Sequence, residues 1–168
     1  MPPNNDRLSF ATPTSATLQL HVVRPDDLGT FAQGDGQPWA GWLASTGFEA
    51  SLGEVRLLPG TDGAIAGAVV GLGTDMARRR LRFGLAKCVA ALPGGDWALT
   101  GPLSPADQTE AALGWLLAGY RFGRYRPGIK VPPMARLVCP AGVDADRVLA
   151  MAEGQTRRAR GGTFTPGR

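Results

Sequence analysis

Residues 104–126, SPADQTEAALGWLLAGYRFGRYR, constrain the fold more than any other stretch of this chain. They hold a helix start, a long helical period and a hard stop in one piece. Ser104 suits an N-cap, Pro105 the first helical position, and Asp107 follows the cap by three residues as a variant of the capping box. Leu113, Leu116, Leu117 and Tyr120 recur at three- and four-residue steps, which requires a core on that side. Gly114 and Ala118 add a small-residue stripe against which a neighbour can lie closely. Pro127 and Gly128 end the run.

Around this helix, strand and helix signals alternate. Residues 17–23 alternate Leu18, Leu20 and Val22 and read as a strand, with His21, the sole histidine, on its other face. Residues 26–37 read as a loop. Residues 38–46 read as a short helix with Trp39, Trp42, Leu43 and Thr46 on one face. Val55 and Leu57 mark a strand, Asp62-Gly63 a turn, and residues 64–70 an almost wholly apolar strand covered on both faces. Residues 75–92 read as one helix with Leu81, Leu85, Cys88 and Leu92 inward and Arg78, Arg79, Arg80 and Arg82 solvated. A short strand over 97–100 precedes the organising helix. A strand over 135–139 and a helix capped by Asp144, with Val143 and Val148 at staple spacing, follow it. This alternation predicts an α/β fold, a mixed, mostly parallel sheet flanked by helices.

The expected organisation is a flexible arm over 1–16, one α/β domain over 17–154 and a disordered Arg-rich tail over 155–168. Net charge is +4, yet residues 1–154 balance and the whole excess lies in the tail. Nucleic acid is therefore expected only through weak, salt-sensitive tail contacts. Cys88 and Cys139 match neither a metal spacing nor a disulfide framework and read as buried free thiols. No apolar run reaches membrane-spanning length, and the N-terminus lacks a secretory pattern, so a cytoplasmic protein is expected.

Chemistry-bearing motifs are sparse. Gly71-Leu72-Gly73 follows a strand, but a dinucleotide fingerprint needs a further glycine where Met76 stands. It reads as a tight turn, with Gly71, Gly73 and Asp75 as an alternative ligand loop for phosphates. One histidine cannot build a Ser-His-Asp triad with any spacing visible here.

Three segments carry a family resemblance: GYRFGRYR over 119–126, AVVGLGTD over 68–75 and ARLVCPAGVDADRVLAMAEG over 135–154. In that order they resemble the N-terminal domain of the leucyl (cytosol) aminopeptidase family. The resemblance implies a macro-domain-like α/β fold and a role in assembly, through self-association or with a catalytic domain. Full-length members are two-metal exopeptidases, using zinc or manganese, that release N-terminal amino acids. Their catalytic signature, Asn-Thr-Asp-Ala-Glu-Gly-Arg, does not occur in this sequence, and residues after 154 hold no carboxylate side chain. The expectation is a chain inactive alone, with no catalytic residue, metal ligand or cofactor of its own. It is read as either a truncated or frameshifted product or a stand-alone domain. The alternative is a macro-like module binding ADP-ribose or a nucleotide at the 71–75 loop.

Overall fold

The computed structural model describes residues 8–80, 84–124 and 133–161, with backbone only for 121–124 and 160–161. Its centre is a five-stranded sheet. The strands are β1 (Leu18–Val23), β2 (Val55–Pro59), β3 (Ile65–Gly71), β4 (Gly95–Thr100) and β5 (Ala135–Leu137), in the order β2-β3-β1-β4-β5. β1 pairs in parallel with β3 and β4, and β4 with β5; β2 alone is antiparallel, joined to β3 by a hairpin. In that hairpin Gly63 adopts φ +81°, and the Asp62 carboxylate accepts the Ala64 N–H at 3.0 Å. The apolar run over 64–70 is thus an inner strand, with Ala68, Val69 and Val70 wholly buried.

The pleat divides the core. Leu20, Val22, Ala68, Val70, Trp97 and Leu137 belong to the larger cluster, with the long helix α4 (Pro105–Arg124) and the helix α5 (Ala145–Gly161). Val23 and Val69 belong to a smaller cluster with Leu43, Phe48, Ala50 and Leu58. Two short helices serve that side, α1 (Leu28–Gln33) and α2 (Ala40–Ser45), each preceded by a single 3-10 turn. The result is a three-layer α/β arrangement.

α4 begins where its cap chemistry dictates. The Ser104 hydroxyl accepts the Asp107 N–H at 3.1 Å and donates to the Asp107 carboxylate at 2.8 Å. Residues 111–116 are all buried, so the helix is enclosed rather than striped. The cause is a neighbour on each side, the 3-10 segment Gly84–Ala91 and α5. Trp115 is part of that enclosure and donates its indole N–H to the Ala135 carbonyl at 3.0 Å, tying α4 to β5. α5 begins at an Asp144 cap, whose carboxylate accepts the Arg147 N–H at 3.1 Å, and Val148 and Val143 both join the core.

Several expectations are corrected. The 26–37 loop contains the helix α1; the sequence there has no apolar period, and the helix is one turn and a half. The helix expected over 75–92 is α3 (Asp75–Arg80) followed by a 3-10 helix from Gly84 to Ala91. Glycine at 84 disfavours a continuous α-helix, and Leu85 and Cys88 stay buried at the three-residue spacing of a 3-10 turn. Leu81 and Arg82 lie outside the described residues, as do residues 1–7, 125–132 and 162–168.

Within the expected arm, Ala11 is buried, pairs with Val138 and donates its N–H to the Leu137 carbonyl at 2.8 Å. Within the expected tail, residues 155–161 continue α5, because good helix formers follow the buried Ala152 without a breaker stronger than Gly154. Cys88 is buried and its thiol is pushed up to about 12, whereas Cys139 is only partly covered.

The outer strand β2 is covered by side chains rather than by another strand. Trp39 and Trp42 donate their indole N–H groups to the carbonyls of Pro59 (2.8 Å) and Leu57 (3.1 Å).

Candidate functional site

In a largely parallel α/β sheet, ligands are taken up outside the carboxyl ends of the strands, where neighbouring connections leave to opposite sides. Here that point is the end of β1, flanked by β3 and β4. A cleft of about 420 Å³ lies there. Its charged lining is Arg24 beyond β1, Asp75, Arg78 and Arg79 of α3, and Asp107 and Glu110 of the first turns of α4. Leu52, Leu72 and Leu85 contribute apolar floor.

Each charged group has a local reason for its place. Arg24 precedes Pro25, which forces it into extended backbone (φ −85°, ψ 153°) at the end of β1. Its Nε is buried and has no hydrogen-bond partner among the described residues. Thr74 caps α3, its hydroxyl accepting the Ala77 N–H at 3.2 Å, which sets Asp75 in the first turn. Asp75 is bonded to Arg78, and that guanidinium holds its carboxyl below the usual carboxylate range.

The three residues of the alternative ligand loop are placed as follows. Gly71 ends β3 and accepts at its carbonyl the Gly53 N–H (2.9 Å). Its own N–H goes to the Glu54 carbonyl at 2.8 Å, the Leu72 N–H to Val23 at 2.8 Å and the Gly73 N–H to Ala50 at 3.0 Å. These amides are occupied by the protein's own backbone, so none of the three is free to cradle a phosphate. The glycines answer to the close approach of residues 50–52: a methyl on Gly71 would strike the backbone of Ala50 and Ser51, and one on Gly73 would stand 2.7 Å from Leu52 Cβ. Gly73 also takes φ +65°, and Ala50 itself is held at φ +57°, a region costly for a residue with a side chain. Of the loop, Asp75 reaches the cleft, and Gly71 and Gly73 do not line it.

Arg24 and Asp107 were not legible as site residues, because the chain brings together segments more than eighty residues apart. His21 lies on the opposite face of the sheet from the large core. Its ring lies tilted against Phe31 (ring centroids 5.4 Å) and Trp39 (6.4 Å), and its Nδ1 stands 3.1 Å from the Thr100 hydroxyl. Burial lowers its pKa, with Asp35 opposing. Among the described residues, no group of three or more His, Cys, Asp or Glu side chains is arranged to hold a metal ion. No described helix is long and apolar enough to cross a membrane.

The fold and site define a three-layer α/β domain with a charged cleft and no clustered metal ligands among the described residues. Residues 18–140 match the family model of the M17 aminopeptidase N-terminal domain, and the chain belongs to that family. It is 30% identical over 164 residues to a probable cytosol aminopeptidase of Leifsonia xyli subsp. xyli, covering 90% of this chain and 32% of that protein. The fold is similar to the cytosol aminopeptidase of Coxiella burnetii, with TM-score 0.65 at 20% identity, covering 84% of this chain and 30% of that one. A mutant of tomato leucine aminopeptidase follows at TM-score 0.53 and 16% identity, covering 86% and 35%. The chain thus spans about a third of the length of these relatives.

Proposed function

We propose that this domain is a non-catalytic, structural part of a metal-dependent aminopeptidase, and that it acts by packing with a catalytic domain or with further copies of itself. The observation that carries the reading is the family match over residues 18–140, a region without a metal-binding cluster among its described residues. In a two-metal exopeptidase the ions polarise the peptide carbonyl and supply hydroxide, and that task needs several convergent carboxylates. Among the described residues of the cleft, Asp75 pairs with Arg78, and the acidic groups are not gathered into such a set. In this proposal the enzymatic work of the family falls to residues outside the matched domain.

The test is a peptidase assay of the pure protein on aminoacyl amides, with and without manganese or zinc. No metal-dependent turnover is expected. Turnover that follows the metal and disappears with a chelator would overturn the reading. Addition of a separately made catalytic domain should give a complex in analytical ultracentrifugation.

A further inference from the structure

The cleft at the carboxyl ends of β1 and β3 has a composition that its packing does not explain. Arg24 Nε is buried without a hydrogen-bond partner among the described residues, and Arg24 and the exposed Arg79 bear on Asp75 through their charge without forming an ion pair to it. An unsatisfied donor on a charged, partly buried side chain is costly, and native proteins keep few of them without cause. A guanidinium in this position suits a carboxylate, which it can meet with two parallel N–H bonds. Across the lining, α4 presents carboxylates. Asp107 lines the cleft, and one of its oxygens accepts the Ser104 hydroxyl at 2.8 Å, which leaves the second as an acceptor. The cleft thus offers an unsatisfied donor on Arg24 and the exposed guanidinium of Arg79 from one set of elements and a carboxylate from another, over an apolar floor of Leu52, Leu72 and Leu85. Its volume of about 420 Å³ falls in the range of small-molecule sites.

We propose that this cleft binds a small zwitterion, a free amino acid or a dipeptide, with the ligand carboxylate on Arg24 and Arg79, the ligand ammonium on Asp107, and an apolar side chain on the leucine floor. A simple anion would leave the Asp107 side opposed by like charge, and a simple cation would leave Arg24 unmatched. A molecule carrying both charges answers both walls. The glycines of the 71–73 turn have no part in this, since their amides are already bonded.

The experiment is a titration of the full 168-residue chain with L-leucine and with leucyl-glycine, followed by amide chemical shifts. Acetate, ethylammonium and inorganic phosphate serve as separate probes. Saturable shifts around residues 24, 79 and 107 are expected with at least one zwitterion, and each single-charge probe should bind at least about tenfold more weakly. Arg24→Gln and Asp107→Asn should each weaken zwitterion binding about tenfold or more, with unchanged circular dichroism. If Arg24→Gln does not fold, Asp107→Asn decides, because the Ser104 cap bonds the backbone N–H at 107 and survives that change. No saturable binding at tens of millimolar would overturn the proposal. So would acetate or phosphate binding as tightly as the zwitterions, or an unchanged affinity in the variant that folds.

Discussion

Alanine at position 71 should destabilise the domain, although glycine inside a strand ordinarily costs about 0.5–1 kcal/mol relative to alanine. Gly71 does not have a positive φ, so the backbone itself would accept a side chain. Space decides the sign. A methyl there falls on the carbonyls of Ser51 and Ala50. These are main-chain atoms, tied by the Gly53, Gly71 and Gly73 amide bonds at 2.8–3.0 Å, and they cannot swing aside as the end of a side chain would. Overpacking of this kind costs about 1–3 kcal/mol, and breaking one of the bonds adds about 1 kcal/mol. Against the intrinsic gain from alanine, a net loss of about 1–3 kcal/mol remains. With a urea slope of about 2 kcal/mol/M, the unfolding midpoint by far-ultraviolet circular dichroism should fall by about 0.5–1.5 M. Gly41→Ala is the control. Gly41 lies exposed in α2 with nothing within 4 Å of an added methyl, so the change should raise stability by about 0.5–1 kcal/mol. If Gly71→Ala stabilises as Gly41→Ala does, residues 50–52 do not require that glycine and the account of the turn fails.

Other expectations follow from single contacts. Trp115→Phe should cost about 1–2 kcal/mol through the Ala135 carbonyl it leaves unpaired, and Trp115→Ala about 3–5 kcal/mol; equal losses in urea unfolding would deny the indole bond any part. Ser104→Ala should cost about 1 kcal/mol and raise amide exchange in the first turn of α4; unchanged exchange there would count against the cap. His21 has a folded pKa below its unfolded value, so the unfolded chain takes up the proton first. Its contribution is whole above about pH 6.5 and is lost as pH falls from there through the folded value. The urea midpoint should therefore drop between about pH 7.5 and 5.5, and His21→Phe should flatten that drop; an identical slope in the variant would remove His21 as its source.

What the sequence disclosed is what local chemistry controls. The start of α4 was legible because Ser104 and Asp107 settle it between themselves, and β3 because an unbroken apolar run must be covered on both faces. Asp144 announced α5 for the same reason. The helix over 28–33 was hidden, since Gly29 and Thr30 give it neither period nor propensity and it is held by packing of Leu28 and Phe31. The need for glycine at 84 comes from Leu52, whose side chain occupies the space that a larger residue would require. The enclosure of α4 required a second helical neighbour, so a single stripe over Leu113, Leu116 and Leu117 understated it and left Trp115 unremarked. The cleft drew on three separated segments, and no spacing in the chain links Arg24 to Asp107.

A sheet with open margins invites another chain to add itself as the next strand. In this domain the carbonyls of Leu57 and Pro59 on one margin are engaged by tryptophan indoles, and at the other margin Ala11 occupies the Leu137 carbonyl. Templated growth into fibres is therefore blunted at those positions, at the modest expense of leaving Trp42 46% exposed. The same closure has a further consequence: an added strand would have to displace these bonds before it could pair with the sheet at those carbonyls.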